Sequence, residues 1–133
     1  MIEQLSIPVR GQGLYAISDR VKPIVAAAPA REGLCTLFIR HTSASLLVQE
    51  SYDDSARVDL ENWLNRLVPE NDPFYTHTLE GADDMPAHIK AALTATQVSI
   101  PFNDGELLLG TWQGIYLWEH RHRAGERCVV VHL

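Results

Sequence analysis

Six histidines stand in a chain of 133 residues, and three of them, His41, His77 and His88, lie where an imidazole could do chemistry. His41 closes an apolar run, Leu34 to Ile39, and is followed by the hydroxyl residues Thr42, Ser43 and Ser45. A strand end that opens into polar residues turns side chains toward a cleft, although a neighbouring carbonyl can also satisfy such a histidine. His77 sits beside Tyr75 in a long polar stretch that no periodicity explains, which is equally the place of a plain exposed loop histidine. His88 falls near the first turn of a helix starting around Asp83-Asp84, where unpaired N–H groups and the positive dipole end favour an anion. One of those two acids is expected to cap that helix. Three imidazoles on three separate elements are the makings of a tri-histidine site. Such a set suits zinc or another borderline transition metal, with magnesium the poorer match. The spacing corresponds to neither HExxH nor a zinc finger.

Two further stretches are chemically unusual. Gly110-Thr111-Trp112-Gln113-Gly114 brackets a polar-aromatic triplet with glycines, which in strands mark bulges or close approaches. The carboxamide of Gln113 offers a ligand both a donor and an acceptor. Glu119-His120-Arg121 places mixed charge beside an apolar run, and His120 and His122 read as the solvent-facing positions of an edge strand. Ser43 or Ser45 near His41 is adjacency in sequence, not triad geometry. No Walker loop, GxGxxG or GxSxG elbow is present.

Composition narrows the classes. With 46% apolar and 21% charged residues the chain is globular, and at 133 residues it is expected to form a single domain over 1–133. The formal charge of −6 and the lack of a Lys/Arg run argue against nucleic-acid binding, which relies on a cationic face. No apolar run is long enough to span a bilayer, so no membrane role is expected. Met1-Ile2-Glu3-Gln4-Leu5 lacks the basic and apolar regions of a signal peptide, so the expected location is cytoplasmic. Cys35 and Cys128, without a CxxC, read as free thiols in strands.

The elements that must position these residues follow from pattern. Strands are expected at Ile2–Pro8, Leu34–Ile39 and Leu46–Val48. Val21, Ile24, Val25 and Ala28 repeat as one helical face, starting at Ser18 or Asp19 and carrying Pro23 near its start. Ala56, Leu60, Trp63, Leu64 and Leu67 form the clearest apolar stripe, stopped by Pro69. A long loop runs from Val68 to Met85, and a short helix carries His88 and Lys90. Gln97–Phe102 and Glu106–Leu109 flank the hairpin signal Asn103-Asp104-Gly105. Gly114–Glu119 and Arg127–Leu133 flank a second signal, Ala124-Gly125-Glu126. Without regular β-α-β alternation, the order favours an α+β fold with a largely antiparallel sheet.

Three blocks carry a family resemblance. They are His41-Thr42-Ser43-Ala44-Ser45-Leu46, then Glu80-Gly81-Ala82-Asp83-Asp84-Met85-Pro86-Ala87-His88-Ile89-Lys90, and lastly Gly110-Thr111-Trp112-Gln113-Gly114-Ile115-Tyr116-Leu117-Trp118-Glu119-His120-Arg121. In this order they resemble the signature blocks of the YjbQ-like family, labelled secondary thiamine-phosphate synthase. Where members often carry Asn-Glu-Asn, this chain has Gln49-Glu50-Ser51, which keeps the acid and changes its amide neighbours.

The resemblance implies an α+β fold with a β-sandwich-like core and a homotrimer with clefts near subunit contacts. It also implies a small-molecule phosphorylated substrate: a pyrimidine diphosphate joined to a thiazole phosphate with loss of pyrophosphate. Carried onto this chain, His41, His77 and His88 would hold a divalent metal or the anionic substrate. Asp84 and His88 would act as acid–base or orienting groups and Gln113 would position substrate. Thr42, Ser43, Ser45 and Lys90 would bind phosphate oxygens, with Arg40 and Arg121 as further cations. A trimeric ligand-binding protein with little turnover, or a metal-dependent phosphoester hydrolase using the same histidines, are the alternatives.

Overall fold

Alternation of side chains decides how the strands are used. In the last strand Arg127, Val129 and Val131 are buried, while Cys128 and Val130 are only half-covered. This is the two-residue period of a sheet with one face on a core. The computed structural model describes all residues, Met1–Leu133. In chain order the elements are β1 (Ile2–Val9), β2 (Gly13–Ala16), α1 (Ser18–Ala26), β3 (Glu32–Ile39), β4 (Ala44–Glu50) and α2 (Asp54–Leu67). They continue with α3 (Asp84–Leu93), β5 (Gln97–Asn103), β6 (Glu106–Leu107), β7 (Gln113–Glu119) and β8 (Gly125–His132). Five strands form one sheet in the order β1-β8-β3-β5-β6, and three form a second in the order β2-β7-β4. Every pairing between them is antiparallel.

The two sheets face each other across the main core. Ile7, Leu37, Ile39, Leu46, Ile115, Leu117, Val129 and Val131 meet there, closed at one end by Val21 and Val25 of α1. Full burial of each such side chain contributes about 1.5–3 kcal/mol. A second apolar layer, made by Leu14, Tyr116 and Trp118 with Leu64 and Val68, lies between the smaller sheet and α2. β7 is thus covered on both faces: Ile115 and Leu117 point into one core, Tyr116 and Trp118 into the other. The fold is α+β with curled antiparallel sheets, and no helix is long and apolar enough to cross a membrane.

Local signals succeed where the geometry is local. Asp104 and Gly105 have φ of 50° and 78°, the two positive angles of a type I′ turn. They close β5 onto β6, with Asn103 opposite Glu106. α2 begins where Asp53 accepts the Ser55 N–H, a cap worth about 1 kcal/mol.

Elsewhere tertiary partners override local chemistry. Ala124-Gly125-Glu126 does not make a hairpin, because β7 and β8 belong to different sheets. α1 starts without a side-chain cap, since the Ser18 hydroxyl instead accepts the Ile115 N–H. Neither Asp83 nor Asp84 caps α3, because both carboxylates are drawn to Arg121. The stripe on α2 is fully buried only at Leu64 and partly covered at Leu60, while Trp63 and Leu67 remain about half exposed at 52% and 53%.

Candidate functional site

Asp84 and His88 stand four residues apart on α3, one turn along a single face. The loop before the helix returns His77 to the same spot. His77 Nε2 lies 2.8 Å and His88 Nε2 3.1 Å from the same oxygen, Asp84 Oδ2. One donor atom from each of the three residues falls within 4.8 Å of the others. Asp84 is 4% exposed, whereas His77 is open to solvent on one side. The arrangement is a buried carboxylate beneath two imidazoles at the surface.

The surrounding bonds fix how these groups point. Arg121 donates to Asp84 Oδ1 at 2.6 Å, to Asp83 Oδ2 at 3.0 Å and to the Glu80 carbonyl at 2.8 Å. The fork aims the second Asp84 oxygen outward at the histidines. Asp83 also accepts the His122 N–H at 2.9 Å. Burial pushes the Asp83 carboxyl up, but the bonds from Arg121 and His122 outweigh it and hold the group below the usual carboxylate range. Arg121 is raised in turn, mainly by its hydrogen bond to Asp83.

His88 Nδ1 lies 2.9 Å from the Thr42 carbonyl. A carbonyl only accepts, so Nδ1 donates to it and Nε2 is the nitrogen turned toward Asp84. A proton on Nε2, or a cation shared with the carboxylate, makes the contact with Asp84 Oδ2 favourable. A ligand histidine whose other nitrogen donates to a carbonyl is the usual outer support of a metal site. Two imidazoles and a carboxylate suit zinc or another borderline transition metal better than magnesium.

The other expected residues divide. His41 lies next to this group without joining it, because its Nε2 accepts the Cys128 N–H at 2.8 Å. The expected set of three histidines is therefore replaced by His77, His88 and Asp84. Thr42 takes part through its backbone carbonyl. Ser43 and Ser45 are buried: Ser43 Oγ accepts from Arg127 at 2.8 Å, and Ser45 Oγ pairs with His120 Nε2 at 2.9 Å. Neither hydroxyl is free for a phosphate. Lys90 is also interior, donating to Asn65 Oδ1 at 2.6 Å, and burial pushes its ammonium pKa down.

Gln113 begins β7, whereas the chain reaches Arg121 only beyond its last residue, Glu119. Seven extended residues span about 20 Å, so Gln113 is remote from the histidines of its own chain. It borders a separate cavity of about 450 Å³ with Ser18, Lys22 and Thr111, and its Oε1 accepts the Gly110 N–H.

Two groups lie where the sequence pattern does not place them. His120, one residue beyond β7, is 1% exposed rather than solvent-facing, held inside by Ser45 Oγ and by its own N–H donating to the Ser43 carbonyl. Glu119 and Arg127 form a buried fork, Nε to Oε1 at 2.6 Å and Nη2 to Oε2 at 2.5 Å. The alternation of Arg127 with Val129 and Val131 was the available sign that this arginine points inward.

The family profile of UPF0047 protein YjbQ-like matches residues 3–133. The chain belongs to the YjbQ-like family. A UPF0047 protein of Synechocystis is 47% identical over 98% of this chain and 89% of its own length. The UPF0047 protein YjbQ of Escherichia coli O157:H7 is 39% identical over 97% of this chain and 94% of its own. Among solved structures, a YjbQ/UPF0047 protein of Clostridium acetobutylicum superposes with a TM-score of 0.89 at 30% identity, covering 98% of each chain. A conserved hypothetical protein of Thermus thermophilus gives 0.88 at 33% identity, again covering 98% of each. The YjbQ-like α+β fold thus spans nearly the whole chain.

Proposed function

We propose that this YjbQ-like protein is a metal-assisted transferase acting on a phosphorylated heterocycle, of the thiamine-phosphate synthase type. The observation that carries this reading is the convergence of His77 Nε2, His88 Nε2 and Asp84 Oδ2 at one point of the surface. A divalent ion bound there would neutralise charge on a phosphate or departing diphosphate. Arg121 holds the carboxylate in place and the Thr42 carbonyl holds the His88 ring, so the donor atoms need little reorganisation on binding. Since Ser43, Ser45 and Lys90 are committed inside the fold, the anion is held mainly by the triad, with exposed Arg40 the nearest chain cation in sequence to His41.

Metal analysis of untagged protein tests the centre. Stoichiometric metal is expected in the native chain and its loss in His88→Ala. No metal in the native protein, with unchanged phosphate affinity in the variant, would overturn the reading.

One observation favours a second reaction at the same place. The His77 side chain is 52% exposed, so water reaches the triad, and hydrolysis of a phosphoester is the competing outcome. Incubation with a diphosphate ester and a thiazole phosphate separates the two: a joined product with pyrophosphate supports transfer, and free alcohol with pyrophosphate supports hydrolysis.

We further propose that the working form is a homotrimer. Tyr52, Trp112, Phe74 and Leu79 are exposed large apolar side chains, and Gln113 can serve a triad only from a neighbouring copy. Sedimentation equilibrium that returns a monomer at micromolar concentration would exclude this.

A further inference from the structure

Arg127 is nine-tenths buried, with 10% of its side chain exposed, and its five N–H donors are unequally spent. Nε and Nη2 fork onto Glu119 at 2.6 and 2.5 Å, and Nη2 also reaches Ser43 Oγ at 2.8 Å. Both N–H groups of Nη1 are left without a protein partner. Nη1 is not sealed inside, since the unpartnered interior side-chain atoms are Glu50 Oε2 and His120 Nδ1. The ion pair is thus closed on its carboxylate side and open on its guanidinium side.

The open side meets a cavity of about 210 Å³, lined by Glu119, Arg123, Ala124, Gly125, Glu126 and Arg127. Arg123 is exposed and pairs with no acid, Glu126 included. A Cβ placed on Gly125 would meet nothing within 4 Å, so that wall is room and not packing. Charge limits what can enter. Both Glu119 oxygens are taken by Arg127 and the Arg121 N–H, which cancels one guanidinium and leaves Arg123 against the exposed Glu126. The site therefore has spare N–H donors and almost no spare positive charge. That combination suits a monoanion, because a second negative charge would stand against both glutamates.

We propose that this cavity, in the connection between β7 and β8, binds a small monocarboxylate. One carboxylate oxygen takes the free Nη1 donors of Arg127, and the planar fork of Arg123 closes on the pair of oxygens from the solvent side. The volume matches roughly seven waters at about 30 Å³ each. It admits a carboxylate on a short stem and is too small for a phosphorylated heterocycle. None of His77, Asp84 and His88 lines the cavity, so the inference is independent of the metal-centre reading.

Acetate, its uncharged isostere acetamide, and inorganic phosphate are the probes. Each is titrated into metal-free full-length protein at pH 8, where phosphate carries two charges, and followed by nitrogen-15 NMR of the arginine side chains. The Arg123 and Arg127 signals should move together with acetate. Acetate should bind at least about tenfold more tightly than acetamide, the gain of charge-assisted over neutral hydrogen bonds, and more tightly than phosphate. Arg123→Gln removes an exposed arginine without a protein partner, so the fold is kept, and it should weaken acetate at least about fivefold. His88→Ala should leave the acetate response unchanged. Equal binding of acetate and acetamide, tighter binding of phosphate, or native acetate affinity in Arg123→Gln would each overturn the proposal. Loss of the arginine shifts in His88→Ala would do the same, by placing the carboxylate at the histidines.

Discussion

Two buried carboxylates sit close together in this molecule and are used in opposite ways. Glu119, at the end of β7, has both oxygens in the Arg127 fork, and Oε2 also accepts the Arg121 N–H. Asp84, at the start of α3, has one oxygen on Arg121 and turns the other toward two imidazoles at the surface. Burial is similar, at 1% and 4%, and each acid has an arginine. What separates them is where the remaining lone pairs point. Glu119 is closed within protein and ties β7 to β8 across the two sheets, whereas Asp84 presents an oxygen outward. A buried ion pair is evidence of function only when one atom of it is left facing a cleft.

The largest effect should come from breaking the closed pair. Glu119→Ala leaves Arg127 buried without its counter-charge and is expected to cost about 3–5 kcal/mol in urea unfolding. Folded molecules of this variant should keep their metal affinity. A loss below about 1 kcal/mol, the scale of an exposed pair, would dissolve the distinction. Asp84→Asn should do the reverse. It keeps the shape and most of the stability but lowers metal affinity at least about 100-fold, roughly 2.7 kcal/mol, when titrated with zinc. Equal metal affinity in that variant would place the ion elsewhere.

A third buried group sharpens the contrast through pH. His120 is held down to about 3 by burial first, then by Lys90 and Arg127, and its Nδ1 has no partner. Between the ordinary histidine value and about 3, the unfolded chain takes up a proton that the folded chain refuses. This contribution to stability is therefore complete above that window and falls with decreasing pH, by up to about 1.4 kcal/mol per pH unit. Chemical denaturation at pH 7, 6 and 5 should find the decline, and His120→Gln should lessen its slope by one proton's worth.

Smaller still is the effect of weakening the support of Asp84. Arg121→Lys keeps the charge and loses the fork, and metal affinity should drop about tenfold. Gln113→Ala, at the other end of β7, should leave zinc affinity within about twofold, less than the tenfold scale of a supporting residue. A larger change there would bring that end of the strand into the centre.

Local chemistry was sufficient where a structure closes within a few residues and no distant partner claims the same groups. Asn103-Asp104-Gly105 specifies its turn because two positive φ angles are cheap only for such residues. The Val21–Val25 face and the α2 stripe report helices because 3.6-residue repetition is a property of the chain alone. The same holds for Asp84 and His88, whose spacing on one helix already places them together.

Tertiary structure decided the rest, for one physical reason: the partners lie far apart along the chain. Ser43 and Ser45 look like free hydroxyls until Arg127 and His120 arrive, 84 and 75 residues later. His41 is typical of a ligand by its surroundings, yet the Cys128 N–H, 87 residues away, takes the nitrogen a metal would need. The residue types that do chemistry could be named from the sequence. Which lone pairs remained free for it depended on a fold that assigns every other one.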